Sequence, residues 1–157
     1  RKNERKKETD MDRCERAIEY HKRGCNCSQS VLAAFADLTG LGEAGSLAIA
    51  GGFGGGSGTG ELCGAIAGAV MTLSQLYPAT IEDPVNGKKR AVGLAREFQR
   101  RFARRFGHLR CADLLPEKYQ PDENTPAALR LGLTNHCEIM IATAVEIVEE
   151  MLSEQAA

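Results

Sequence analysis

Apolar residues recur along most of this chain at the spacing of one helical face. Val31, Leu32, Phe35 and Leu38 fall at i, i+1, i+4 and i+7, the pattern of an amphipathic helix. Asn26 precedes that run as a candidate N-cap and Gly40 follows it as a stop. Upstream, Met11, Ala17 and Ile18 predict a shorter helix ending at Gly24. Phe98, Phe102 and Phe106 repeat every four residues and predict a long helix from about Lys88 to Phe106. Asn135 to Leu152 predicts a last helix with Ile141, Val145, Val148 and Leu152 inward. No segment alternates apolar and polar positions between turn signals, so strands are not expected. Pro78, Pro84, Pro116, Pro121 and Pro126 fall between the helical runs and mark loops. The expectation is an all-α, single compact domain of about six helices over residues 11–157. A charged, frayed tail over residues 1–10 precedes it.

Composition adds a question. A domain of 157 residues buries roughly 70% of its unfolded surface and needs neither disulfides nor metal to fold. Its six cysteines therefore call for a reason beyond stability. The net charge of -1 predicts no nucleic-acid partner. No stretch approaches the roughly 18 apolar residues of a membrane span. Arg1 to Thr9 lacks the apolar segment of a secretory signal. A cytoplasmic location is the expectation, where unpaired cysteines are more often buried, catalytic or metal-bound than disulfide-linked.

The segment Gly51 to Gly68 reads GGFGGGSGTG and then ELCGAIAG, a glycine-rich loop before a central small-residue helix. Gly60, Gly64 and Gly68 lie four apart, which strings small residues along one helical face and invites another backbone to approach closely. Cys63 falls at the helix start. A thiol there meets free amides and the positive end of the helix dipole, so its pKa is expected to fall.

Cys63-Gly64-Ala65-Ile66-Ala67-Gly68 is a CGAxxG motif, and with it the chain resembles the C-GCAxxG-C-C family of redox-active proteins with four characteristic cysteines. Asn26-Cys27-Ser28-Gln29-Ser30-Val31-Leu32 resembles the family's first-cysteine helix, and Gly51 to Gly58 its glycine-rich loop. Phe106-Gly107-His108-Leu109-Arg110-Cys111, with Asp113-Leu114-Leu115 after it, resembles the third-cysteine motif. Cys137 opens the last helix as the fourth cysteine does. Ser28 departs from the commoner Ala, and Cys14 and Cys25 are additional. The resemblance implies that Cys27, Cys63, Cys111 and Cys137 converge as a redox centre, with Cys14 and Cys25 outside it. The family's domain also occurs joined to haem domains; this chain has no C-x-x-C-H, so covalent haem is not expected.

These four cysteines are separated by 36, 48 and 26 positions, without a C-x-x-C pair. Zinc ribbons, bacterial ferredoxin runs and thioredoxin-type dithiols are disfavoured, so each ligand must come from a different part of the fold. Four thiolates suit an iron–sulfur cluster, with zinc or mononuclear iron as other occupants, in electron transfer or redox sensing. The same atoms permit a metal-free thiol–disulfide oxidoreductase centred on Cys63. A helical interaction module with inert, buried cysteines is the third reading. His108 lies three positions before Cys111 and would share a metal with it if both sat on one helix.

Other signals carry less. Gly40 to Gly45 reads GxGxxG, but a helix, not a strand, precedes it, so dinucleotide binding is disfavoured. Lys88 to Arg105 holds eight basic residues and one acid, Glu97. That helix face is solvated, docks a partner, or is neutralised by the acidic last helix. A redox partner protein and a homodimer built on the small-residue faces complete the expectation.

Overall fold

The computed structural model describes residues 11–156; the tail expected over residues 1–10 lies outside the described residues. Asp12 caps the first helix, α1 (Arg13–Lys22), by accepting from the Glu15 amide. Asn26 then caps α2 (Cys27–Ala34) through a reciprocal box: its side chain accepts from the Gln29 amide, and the Gln29 side chain accepts from the Asn26 amide. The single helix expected over this run is split. Phe35 takes φ -107° and ψ 15°, which ends α2 and starts the one-turn α3 (Ala36–Thr39), closed by Gly40 at φ 76°. The break lets Phe35 bury completely beneath the Arg13 guanidinium, 4.9 Å above its ring. It also turns Leu38 outward, 47% exposed, against the expectation that it faces the core.

Next come α4 (Gly42–Ala50), a π-type turn at Gly56–Gly60, and α5 (Gly64–Leu76). The long helix α6 runs Pro84–Phe106, a turn earlier than expected, because Pro84 occupies its first turn and Gly87 seats on Ala79. Two short pieces were not anticipated: α7 (Cys111–Leu114), continued by a 3-10 turn at Leu115–Glu117, and α8 (Pro126–Arg130). The last helix, α9, spans His136–Ala156. The described residues are therefore all helical, in nine α segments rather than about six. Leu62 and Arg110 form one isolated antiparallel bridge.

The core gathers around α9, whose Ile139, Ile141, Val145 and Val148 are fully buried among α1, α2, α5 and α6. From α6, Phe98 and Phe102 contribute completely buried rings; truncating one such ring costs about 3–5 kcal/mol. The phenylalanines form a ladder, with centroids 6.1 and 4.7 Å apart, that continues through Tyr119 to His136 at the start of α9. Alongside it, Arg105 pairs with Glu146 and Glu150, and Arg101 with Glu154 at 2.6 Å. The acidic last helix thus neutralises part of the basic one within the same chain. No described helix is long and apolar enough to cross a membrane.

Candidate functional site: four thiols at four helix starts

The small-residue helix is where the site is built. Of the three glycines expected on one face, Gly60 belongs instead to the π-type turn, and only Gly64 and Gly68 lie on α5. Helix α2 sits on these two. A Cβ at Gly68 would stand 2.6 Å from the Ser28 carbonyl oxygen, and one at Gly64 3.2 Å from the Cys27 Cβ. Side chains there would push α2 away, so the glycines set the distance between the first and second cysteines.

The glycine-rich segment closes over the same point. Asn26 donates from Nδ2 to the Gly51 carbonyl, Ser28 from Oγ to the Ala50 carbonyl, and Gln29 from Nε2 to the Leu47 carbonyl. The Phe53 carbonyl and Gly54 Cα lie within 3.2 Å of where a Gly64 Cβ would be.

A second tie brings in the third cysteine. The Cys63 amide donates to the Leu109 carbonyl at 2.9 Å and the Cys111 amide to the Glu61 carbonyl at 2.7 Å, with an Arg110–Glu61 ion pair outside them. Cys137 arrives on α9, whose first turn is held by Asn135 accepting from the Glu138 amide. Glu138 in turn faces His21 of α1, 2.9 Å away.

Every one of the four cysteines therefore stands at a helix start: Cys27 first in α2, Cys63 capping α5, Cys111 first in α7 and Cys137 second in α9. Their thiols feel one another. Cys27 and Cys137 each shift the other's acidity, and the charges of Cys63 and Cys111 also act on Cys27. All six cysteines are free thiols.

Their acidities diverge, and one expectation fails. Cys63 is pushed up to about 11 because burial outweighs the amides of Ile66 and Ala65 that meet its sulfur. Cys137 is drawn down to about 6, chiefly by Cys27 and secondarily by the nearby His21. Cys27 is raised by Cys137 and by burial. Cys111, the least enclosed, is raised by burial and by Cys137.

The remaining residues fall outside this cluster. Cys14 is buried against α9, donates weakly to the Ala142 carbonyl at 3.5 Å, and is pushed up to about 12 by burial. Cys25 lies in the turn before Asn26, its amide bonded to the Tyr20 carbonyl. His108 precedes α7 rather than lying on it, so the helical spacing that would align it with Cys111 is not formed; its Nε2 is 3.4 Å from Glu117. His136 stacks on Tyr119, and its buried Nδ1 has no hydrogen-bond partner. Sequence reasoning missed His21 and Glu138 as neighbours of Cys137. Glu138 is the next residue in the chain, but nothing local could have revealed His21, which pairs with Glu138 across 117 positions.

Order, spacing and convergence now meet in one pattern: a model of the family described as "Putative redox-active protein (C_GCAxxG_C_C)" matches residues 25–151. The chain belongs to this family. No curated protein and no solved structure matches it. Among the described residues, no group of three or more His, Cys, Asp or Glu gathers closely enough to hold one metal ion. What the C_GCAxxG_C_C domain does present is a set of four sulfur donors from four separate elements, with helix-start amides directed at the Cys63 sulfur.

Proposed function

We propose that this protein is an electron carrier or redox sensor whose four thiols, Cys27, Cys63, Cys111 and Cys137, hold an iron–sulfur cluster. The observation that supports this most is that four free thiols stand at four helix starts and act on one another's acidity. A mononuclear tetrahedral zinc or iron site needs sulfurs about 3.8 Å apart around metal–sulfur bonds of about 2.3 Å. An iron–sulfur cluster is built for thiolate donors. When bound, it would supply one-electron chemistry at a potential tuned by hydrogen bonds to sulfur and by burial. In this chain the Ala65 and Ile66 amides would set that tuning at Cys63. The glycine-rich segment and α2 wall off Cys63, and Cys111 is the open side from which a partner redox protein would exchange electrons.

A second reading has its own support. Cys27 and Cys137 act on each other most strongly among the four, and Cys137 is drawn down to about 6, chiefly by Cys27. A metal-free dithiol would use this pair. Two thiols lose two protons and two electrons to an external disulfide as their sulfurs bond, Cys137 attacking and Cys27 resolving. In this scheme Cys137 takes the role expected of Cys63. The third reading, an interaction module with inert cysteines, needs thiols sealed from solvent, and Cys27, Cys111 and Cys137 are only half-buried.

Anaerobic purification, with an absorption spectrum and assays of iron and acid-labile sulfide, separates the three. The cluster reading expects stoichiometric iron and sulfide, lost in Cys63→Ser and Cys111→Ser. Metal-free protein with a reversible Cys27–Cys137 disulfide on peptide mapping overturns it in favour of the second reading. Metal-free protein whose thiols react only after unfolding leaves the third.

A further inference from the structure

The two ends of α6 differ in how their charges are met. Toward the C-terminus Arg100, Arg101 and Arg105 find carboxylates on Glu97, Glu146, Glu150 and Glu154, and among the described residues Arg104 there makes no ion pair. From its start to its middle Lys88, Lys89 and Arg96 are exposed and make no ion pair among the described residues. The same stretch leaves branched apolar side chains in water: Ile81 is 86% exposed, Val85 68% and Val92 42%. At 100° per residue, Val85, Lys89, Val92 and Arg96 fall within about 60° of one another on the side opposite Phe98 and Phe102. Uncompensated cations and unburied aliphatics therefore share one stripe. Two acids, Glu82 and Asp83, stand at its N-terminal edge, so residues 81–96 carry four cations (Lys88, Lys89, Arg90, Arg96) against two acids.

We propose that this stripe seats the protein on an anionic lipid surface, with Val85 and Val92 entering the headgroup layer and Lys89 and Arg96 meeting phosphates. Charge selects the partner: a second copy of α6 laid along the stripe would set lysine against lysine, whereas anionic headgroups complement it. Nucleic acid would use the cations and leave the aliphatics in water. An electron-exchanging partner is badly served here, because Val92 lies about 21 Å along the helix from Phe106, beyond which the thiols begin. A fluid headgroup layer moulds to one convex side of a helix and uses both kinds of side chain.

The test is co-sedimentation of the full chain with vesicles of pure phosphatidylcholine and of phosphatidylcholine mixed with phosphatidylglycerol. Binding to the mixed vesicles only, weakened by salt, is expected. The Lys89→Glu/Arg96→Glu double variant should lose on the order of tenfold or more in partitioning, and Val85→Ser/Val92→Ser several-fold. All of these positions are exposed, and unchanged circular dichroism confirms that the variants fold. No binding to the mixed vesicles, equal binding to both kinds, or indifference to either double variant overturns the proposal. So does tighter retention on polyglutamate or DNA that ignores the valine substitutions, which would reassign the stripe to an acidic macromolecule.

Discussion

The first turns of α5 and α9 each present a cysteine to the same cluster, and the two thiols lie on opposite sides of the ordinary cysteine value. Cys63 has the stronger local claim to a stable thiolate: it caps a 13-residue helix and meets two amides. It nonetheless ends near 11, while Cys137 ends near 6. Removal from water costs an anion more than one helix start repays. A neighbouring protonated thiol, Cys27, reverses the balance where burial is only partial. Helix position alone therefore does not rank these thiols.

That contrast can be broken from the Cys63 side first. In reduced, metal-free protein its raised pKa makes a stabilising contribution that is complete below pH 9 and lost as pH rises through about 11. The loss is on the order of 2–3 kcal/mol. It would be read as a fall in the urea midpoint over that window and should be absent in Cys63→Ala. Next, Gly68→Ala forces a Cβ against the Ser28 carbonyl and should cost about 1–3 kcal/mol. By loosening α2 from α5 it admits water to Cys63, so its alkylation should accelerate at fixed pH; unchanged alkylation would mean that burial is not what holds this thiol protonated.

From the Cys137 side, Cys27→Ala removes that neighbouring thiol and should raise the Cys137 pKa by about one to two units. Ultraviolet thiolate absorbance against pH would show it. The sign for stability follows: Cys137 stabilises the fold above pH 9, and that contribution is lost as pH falls through about 6. The smallest effect belongs to His21→Ala, a secondary charge beside Cys137. It should shift the same titration upward by a few tenths of a unit, less at high salt.

Much of the scaffold was legible in the sequence because its signals are local. The Phe98–Phe102–Phe106 repeat, the Asn26 cap and the apolar positions of α9 each declare themselves within a few residues. What escaped depended on tertiary contacts. The split at Phe35 serves a ring that buries under Arg13, and one-turn helices such as α3 and α7 have no periodicity to detect and persist only through packing. The site divides the same way. Four motifs name the cysteines and the glycines that seat them, but the ranking of acidities rests on burial and on the pairing of Cys27 with Cys137, which no spacing encodes. His108 and Cys111 carried the right interval for a helix that begins three residues too late to use it.

The paired amide bonds between Cys63 and Leu109 and between Cys111 and Glu61 act as a buckle on a strap. They join two thiols at the ends of a 48-residue excursion through α5 and α6, so their spacing is decided at the buckle. The far bend of the strap, at residues 78–83, can then lengthen, shorten or accept a grafted peptide while the sulfurs keep their places. A tag or inserted reporter belongs there, and the redox chemistry should not register its arrival.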